Sequence, residues 1–214
     1  MPQELVCNAF EKPFPHLIVD NFYDDGELEL IWEELKFYTK PDKLLEAKDF
    51  GGVIEKTNHR ALQLDVIYDG CRDISNILTV NRKLFTSGIL DVFAEIHESC
   101  WIAPMCDYDI TKIRYYHDKE YYEAHTDKSF QFLAFSYFYK EPKKFTGGEL
   151  FFPKHNYELT CENNSIIILP GWVKHGVKEI KIENSNYYDG WGRYAITSFF
   201  TNANKKLINE SDTI

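Results

Sequence analysis

The chain has 214 residues, 44% of them apolar and 16% aromatic, which suits one ordered domain with a sizeable core. Its formal net charge of -10 disfavours a broad nucleic-acid or membrane surface, because such partners reward clusters of Lys and Arg. Five scattered cysteines (Cys7, Cys71, Cys100, Cys106, Cys161), with no C-x-x-C spacing, indicate neither a disulfide framework nor a zinc knuckle and point to a reducing cytoplasmic setting.

Taken in order, Phe14 to Phe22 reads as a strand, and Tyr23-Asp24-Asp25 is an N-cap signal for a helix with Leu28, Ile31, Trp32 and Leu35 on one face. Pro41 to Gly70 is mixed, with Gly51-Gly52 and no strong period. A second helix is expected from about Arg82 to Ser99, burying Leu84, Ile89, Val92, Phe93 and Ile96. Two strands then bracket the polar turn His117-Asp118-Lys119-Glu120 and lead into His125. Phe130 to Tyr139 is a long apolar run, Thr146 to Pro153 a turn and strand, and Ser165 to Leu169 a buried strand ended by Pro170-Gly171. His175 opens the next strand. The residues after Asn204 read as a frayed tail. No basic start with a long apolar run resembles a signal peptide, and no stretch approaches the roughly 20 apolar residues that span a bilayer.

Chemistry concentrates in His125-Thr126-Asp127. Side chains at i and i+2 of a strand share a face, so His125 and Asp127 can reach one ion while Thr126 points away. With His175 they make two neutral imidazoles and one carboxylate, the facial triad that leaves positions open on non-heme Fe(II). Zinc is the weaker guess, since its structural sites close a tetrahedron of sulfur and nitrogen and no Cys lies near either half. Arg193 sits in the apolar run Tyr194-Ala195-Ile196, where a guanidinium fork has no obvious use unless it pairs with a carboxylate. The other histidines (His16, His59, His97, His117, His155) lack a partner at ligand spacing and read as structural or exposed, His117 being the nearest decoy.

From about Ile110 to Phe200 the chain resembles the 2-oxoglutarate and Fe(II)-dependent dioxygenases, specifically the prolyl 4-hydroxylase-like group. The matching pieces are Arg114-Tyr115-Tyr116, Tyr122-Glu123-Ala124-His125-Thr126-Asp127, Gly147-Gly148-Glu149-Leu150, Pro170-Gly171-Trp172-Val173-Lys174-His175-Gly176-Val177 and Gly192-Arg193-Tyr194-Ala195-Ile196-Thr197. The last piece is similar to the hypoxia-inducible factor prolyl hydroxylases, which carry Arg there. Collagen-type enzymes carry Lys, so their substrate is not carried over.

The resemblance implies a mainly β fold, a double-stranded β-helix or cupin-like jelly roll of two antiparallel sheets flanked by helices. Residues 1–105 would supply supporting helices and a lid from the Pro41 to Gly70 segment, and 106–203 the jelly-roll core, within one domain over 1–214. It implies that His125, Asp127 and His175 hold Fe(II), and that Arg193 pairs with the far carboxylate of 2-oxoglutarate. Tyr116 and Tyr137 would be phenolic partners of that carboxylate, Tyr115 would replace Tyr116 if the register shifts, and Thr197 would add a hydroxyl. O2 is the oxidant and ascorbate the reductant. The Asp at 127, where halogenating relatives have a small residue, implies hydroxylation. A peptidyl proline is the first expected substrate and a free amino acid or small metabolite the second. Repair of alkylated nucleic acid is disfavoured by the acidic balance. The reading of another class is a non-catalytic cupin-like metal-binding module.

Overall fold

The apolar runs of the C-terminal half become strands whose alternate residues bury into two different layers. The structure is a computed structural model that describes residues 4–50, 56–183 and 185–202. Strands β1 (Val6–Phe10) and β2 (His16–Asp20) precede helix α1 (Asp25–Tyr38); β3 (Arg60–Gln63) follows. Then come four short helices, α2 (Leu64–Ile67), α3 (Asn76–Asn81), α4 (Lys83–Thr86) and α5 (Ile89–Ala94). The remaining strands are β4 (Tyr108–Tyr116), β5 (Tyr122–His125), β6 (Phe132–Phe138), β7 (Phe145–Thr146), β8 (Leu150–Phe152), β9 (Tyr157–Leu159), β10 (Ser165–Pro170), β11 (His175–Val177), β12 (Lys181–Ile182) and β13 (Arg193–Thr201).

Every strand pairing is antiparallel. A seven-stranded sheet runs β1-β2-β10-β6-β13-β4-β3, a four-stranded sheet runs β5-β11-β8-β9, and β12 pairs with β7. This is the expected double-stranded β-helix. The large sheet is covered on both faces, which is why β6 and β10 are buried at every position and read as continuous apolar runs rather than alternating ones. One core joins Ile113, Phe138, Ile166, Ile196 and Phe200 to Ile31, Leu35, Leu78, Leu84 and Phe93 of the helices. The other, between the sheets, gathers Leu133, Phe135, Leu150, Phe152, Ile167, Leu169, Val177 and Phe199. Each such fully buried side chain contributes roughly 1.5–3 kcal/mol over leaving it in water.

Helix α1 starts where expected. Asp24 accepts from the Glu27 amide at 2.9 Å while the Glu27 carboxylate accepts from the Asp24 amide at 2.9 Å, a reciprocal capping box. The expected long helix from Arg82 to Ser99 is a correction: it divides into α4, α5 and a short 3-10 turn at Glu98–Cys100. Gly88 takes φ 78° between α4 and α5, a left-handed turn that no continuous helix accommodates. The break rotates the stripe, so that Val92 is 42% exposed. The segment expected as a lid contributes β3, an edge strand beside β4, while Gly51-Gly52 and the tail after Asn204 lie outside the described residues. No helix among the described residues is long and apolar enough to cross a membrane.

Candidate metal and anion site

His125 ends β5 and His175 begins β11, and the two are direct cross-strand partners in the small sheet. Their ring centroids lie 4.7 Å apart. Asp127 lies just beyond β5, so the same-face geometry of a strand is not what aims it. The backbone around Gly171 does this: the Asp127 amide donates to the Gly171 carbonyl at 3.0 Å. Gly171 in turn approaches so closely that a Cβ there would sit 2.3 Å from the Phe130 carbonyl oxygen and 2.7 Å from that of Asp127. A turn with a side chain would push the Asp127 loop away.

The result is one ligand atom from each of His125, Asp127 and His175, all within 4.8 Å of one another. Each imidazole is oriented by its other nitrogen. His125 Nδ1 lies 2.9 Å from the Glu123 carbonyl oxygen, and His175 Nδ1 lies 2.9 Å from that of Val173. A carbonyl can only accept, so Nδ1 carries the proton and each Nε2 presents a lone pair. Those Nε2 atoms stand 3.7 Å (His125) and 3.4 Å (His175) from Asp127 Oδ2. Acceptors converging on one point call for a cation between them. Burial, then the neighbouring His175, holds the His125 imidazole down to about 4, so it is neutral near pH 7. Burial pushes the Asp127 carboxyl upward, but its contacts with His175 and His125 outweigh this and hold it below the usual range, ionised. Stacking of Tyr122 on His125 at 4.0 Å and an edge contact of Phe135 with His175 at 5.3 Å fix both rings.

The large sheet faces this triad with buried polar atoms that are short of hydrogen-bond partners. Arg193 is 1% exposed, yet its Nε and one terminal nitrogen have no hydrogen-bond partner. Its guanidinium lies over the rings of Tyr116 (4.9 Å) and Tyr137 (4.7 Å). Burial opposes its charge, but Cys161 and the two tyrosines more than restore it, and its pKa stands above the usual value. The Tyr137 hydroxyl, which faces Arg193 and Cys161 without a well-formed hydrogen bond, and the Thr197 Oγ1 are also buried. Such atoms cost about 1–3 kcal/mol each when left unpaired, more for a charge, so their clustering marks a place built for an anion. Gly148 makes the room: at φ 78° it would place a Cβ 3.1 Å from Arg193 Cδ.

Register decides which tyrosine belongs here. Arg193 pairs with Tyr116 and Tyr194 with Tyr115, so Tyr116 shares the Arg193 face while Tyr115 points to the helices. Tyr115 is therefore corrected as a site candidate: its hydroxyl donates to the Tyr187 carbonyl at 3.1 Å and accepts from the Gly192 amide at 3.0 Å. Tyr116, Arg193 and Thr197 line a narrow cavity with His125, Asp127 and His175, and Tyr137 stands beside it. Two polar residues at or behind this cavity were not anticipated as site residues. Arg114 lines the same cavity. His59, read as structural or exposed, is fully buried and stacks on Tyr116 at 4.5 Å, with Tyr122 at 5.2 Å. Arg114 could have been found by its i−2 spacing from Tyr116; His59 gave no such signal. His117, the expected decoy, lies on the helix side against Tyr115 and Tyr187.

Fold and site together define a double-stranded β-helix whose small sheet presents two imidazoles and a carboxylate to a buried guanidinium on the large one. Solved structures share this fold. A prolyl hydroxylase from Trichoplax adhaerens, in complex with a hypoxia inducible factor oxygen degradation domain peptide fragment, superposes with a TM-score of 0.59 at 14% identity, covering 90% of this chain and 86% of that one. An oxidoreductase of the 2OG-Fe(II) oxygenase family from Burkholderia pseudomallei gives 0.58 at 15% identity, covering 88% and 86%. A Pseudomonas putida prolyl-4-hydroxylase gives 0.54 at 13%, covering 86% and 91%. These are structures of the group that the sequence motifs resemble, and at such identities what is shared is the fold. No family model matches the chain, and no curated protein matches it in sequence.

Proposed function

We propose that the protein is a 2-oxoglutarate- and Fe(II)-dependent hydroxylase of the prolyl 4-hydroxylase-like type. The observation that carries this is the pairing of three converging metal-ligand atoms with the orphaned Arg193, Tyr137 and Thr197 across one cavity. Two nitrogens and one carboxylate oxygen suit Fe(II) with open positions, and a buried cation without an anion suits the distal carboxylate of a keto diacid. When bound, Fe(II) with 2-oxoglutarate supplies O2 activation and oxidation of an unactivated C–H bond.

The protein's part is positioning. His125 and His175 hold their Nε2 lone pairs inward through the Glu123 and Val173 carbonyls, and Asp127 offsets one positive charge. Arg193, with Tyr137, holds the distal carboxylate, Thr197 lies four residues along β13 opposite Lys112, and Tyr116, pinned by His59, walls the cavity. Phe135, Leu150, Val177 and Phe199 give the cavity an apolar lining. A non-catalytic metal module leaves the unpaired Arg193 without a purpose.

A peptidyl proline is the first substrate reading, supported by the peptide bound to the Trichoplax enzyme; a free amino acid is the second, favoured by the narrow cavity. Ascorbate is the proposed reductant, and the free cysteines fit a reducing cytoplasm. Succinate formation from 2-oxoglutarate under air tests the proposal, using protein loaded anaerobically with Fe(II) and supplied with ascorbate. Turnover above that of Asp127→Ala is expected. Failure of wild type both to bind 2-oxoglutarate and to release succinate overturns it.

A further inference from the structure

Arg193 is not the only cation in the cavity. Arg114 lies on β4, two residues before Tyr116 and on the same face, and its cross-strand partners Ala195 and Ala61 are both small. One of its terminal nitrogens is buried without a hydrogen-bond partner, and no carboxylate among the described residues lies within ion-pair distance of it. Lys112, a further two residues back, shares the face and pairs with Thr197. Both charged ends converge on one ring: the Arg114 guanidinium and the Lys112 ammonium each lie 5.5 Å from the centre of Phe199.

Phe199 indicates which end of the cavity this is. It lies six residues along β13 from Arg193 and contacts Phe130 at 4.8 Å, in the loop that carries Asp127. Arg114 therefore leans away from Arg193, toward the Asp127 side of the triad. The two guanidiniums point different ways, Arg193 over Tyr116 and Tyr137 and Arg114 over Phe199, beside the loop that carries Asp127. A cosubstrate whose distal carboxylate occupies Arg193 leaves the Arg114 and Lys112 end to the molecule that is to be oxidised. Lys112 and Arg114 repel each other, and the Asp127 and Asp65 carboxylates act on Lys112 only from beyond ion-pair distance, so an anion brought from outside would stabilise both.

We infer that Arg114, assisted by Lys112, is a substrate-carboxylate subsite, so that the substrate carries a carboxylate close to the oxidised carbon. This rests on the hydroxylase reading above. The carboxylate has two sources, the α-carboxylate of a free amino or imino acid and an acidic side chain next to the target residue of a peptide.

The test uses the full chain loaded anaerobically with Mn(II) and saturated with 2-oxoglutarate. Binding is measured by calorimetry, and nearness to the metal by Mn(II) relaxation of probe protons. One arm compares L-proline with L-prolinamide; the other compares acetylated, amidated Ala-Pro-Glu-Ala and Glu-Pro-Ala peptides with their Gln counterparts. In at least one arm the acid should bind about tenfold or more tightly than its neutral partner, and that arm identifies the source. The gap should vanish in Arg114→Gln and shrink in Lys112→Gln, with 2-oxoglutarate affinity within twofold of wild type. Lys112→Gln keeps the test open if Arg114→Gln fails to fold. Equal binding of acid and amide in both arms, or no binding of any probe, overturns the subsite while leaving the hydroxylase reading intact. A loss of 2-oxoglutarate affinity in Arg114→Gln equal to that in Arg193→Gln also overturns it, by assigning Arg114 to the cosubstrate. Absence of 2-oxoglutarate binding in wild type overturns the hydroxylase reading and the subsite with it.

Discussion

On the helix-covered face of the large sheet the Tyr23 hydroxyl donates to Asn81 at 3.0 Å, Asn81 donates to Ser198, Tyr194 bonds Thr39, and Tyr115 bonds the Tyr187 carbonyl. On the cavity face of the same strands, one residue along, Arg193, Tyr137, Thr197 and Arg114 keep buried polar atoms without partners. Alternation along β4, β6 and β13 thus separates polar groups that stabilise the fold from polar groups held for something else. Unpaired buried polar atoms cost stability, and the helix-covered face keeps fewer of them, the His117 Nε2 and the Tyr187 hydroxyl, than the cavity face does. The difference lies in what each face is for.

That contrast can be broken by substitution. The largest effect is expected for Asp127→Ala, which removes the carboxylate from three converging ligands: succinate formation should fall by more than about 100-fold with the far-ultraviolet circular dichroism unchanged. Loss of fold in that variant would make the triad structural. Next, Arg193→Met should weaken 2-oxoglutarate binding about 100-fold by calorimetry, yet leave the Tm of the protein without 2-oxoglutarate equal or higher, because an unpaired buried charge is replaced by an apolar chain of similar volume. A drop in Tm would put Arg193 with the satisfied face.

The opposite pattern is expected from Asn81→Ala, which leaves Tyr23 and Ser198 short of a partner: about 1–3 kcal/mol less stability in urea, with 2-oxoglutarate affinity unchanged. The smallest effect concerns Glu120, in the turn between β4 and β5. Burial pushes its carboxyl up to about 7, against the opposing pull of the His117 amide and Arg60. Between its usual value and about 7 the folded state therefore holds a proton that the unfolded state has lost, and stability declines as pH rises through that window. Glu120→Gln should flatten the decline and raise stability at pH 8 by on the order of 1 kcal/mol, read from urea midpoints at pH 5 and pH 8.

The donor set was legible in the chain because residue chemistry carries it: two imidazoles and a carboxylate in His125, Asp127 and His175, and a guanidinium within an apolar strand at Arg193, have few other uses in that order. The β architecture was legible in the runs around Phe132–Phe138 and Ser165–Pro170, and α1 in its Asp24 and Glu27 cap, since these signals are local. Tertiary structure alone decided the rest. Whether Tyr115 or Tyr116 meets Arg193 depends on the β4 to β13 register, and one residue of slip reverses every side chain. Asp127 is aimed by a backbone contact from Gly171, 44 positions later, and His59 reaches Tyr116 from a segment without periodicity. Gly88 broke a helix whose apolar spacing was sound. Residue types thus determined which atoms could bind a metal and an anion; long-range pairing, which leaves no local trace in sequence, determined which of them meet.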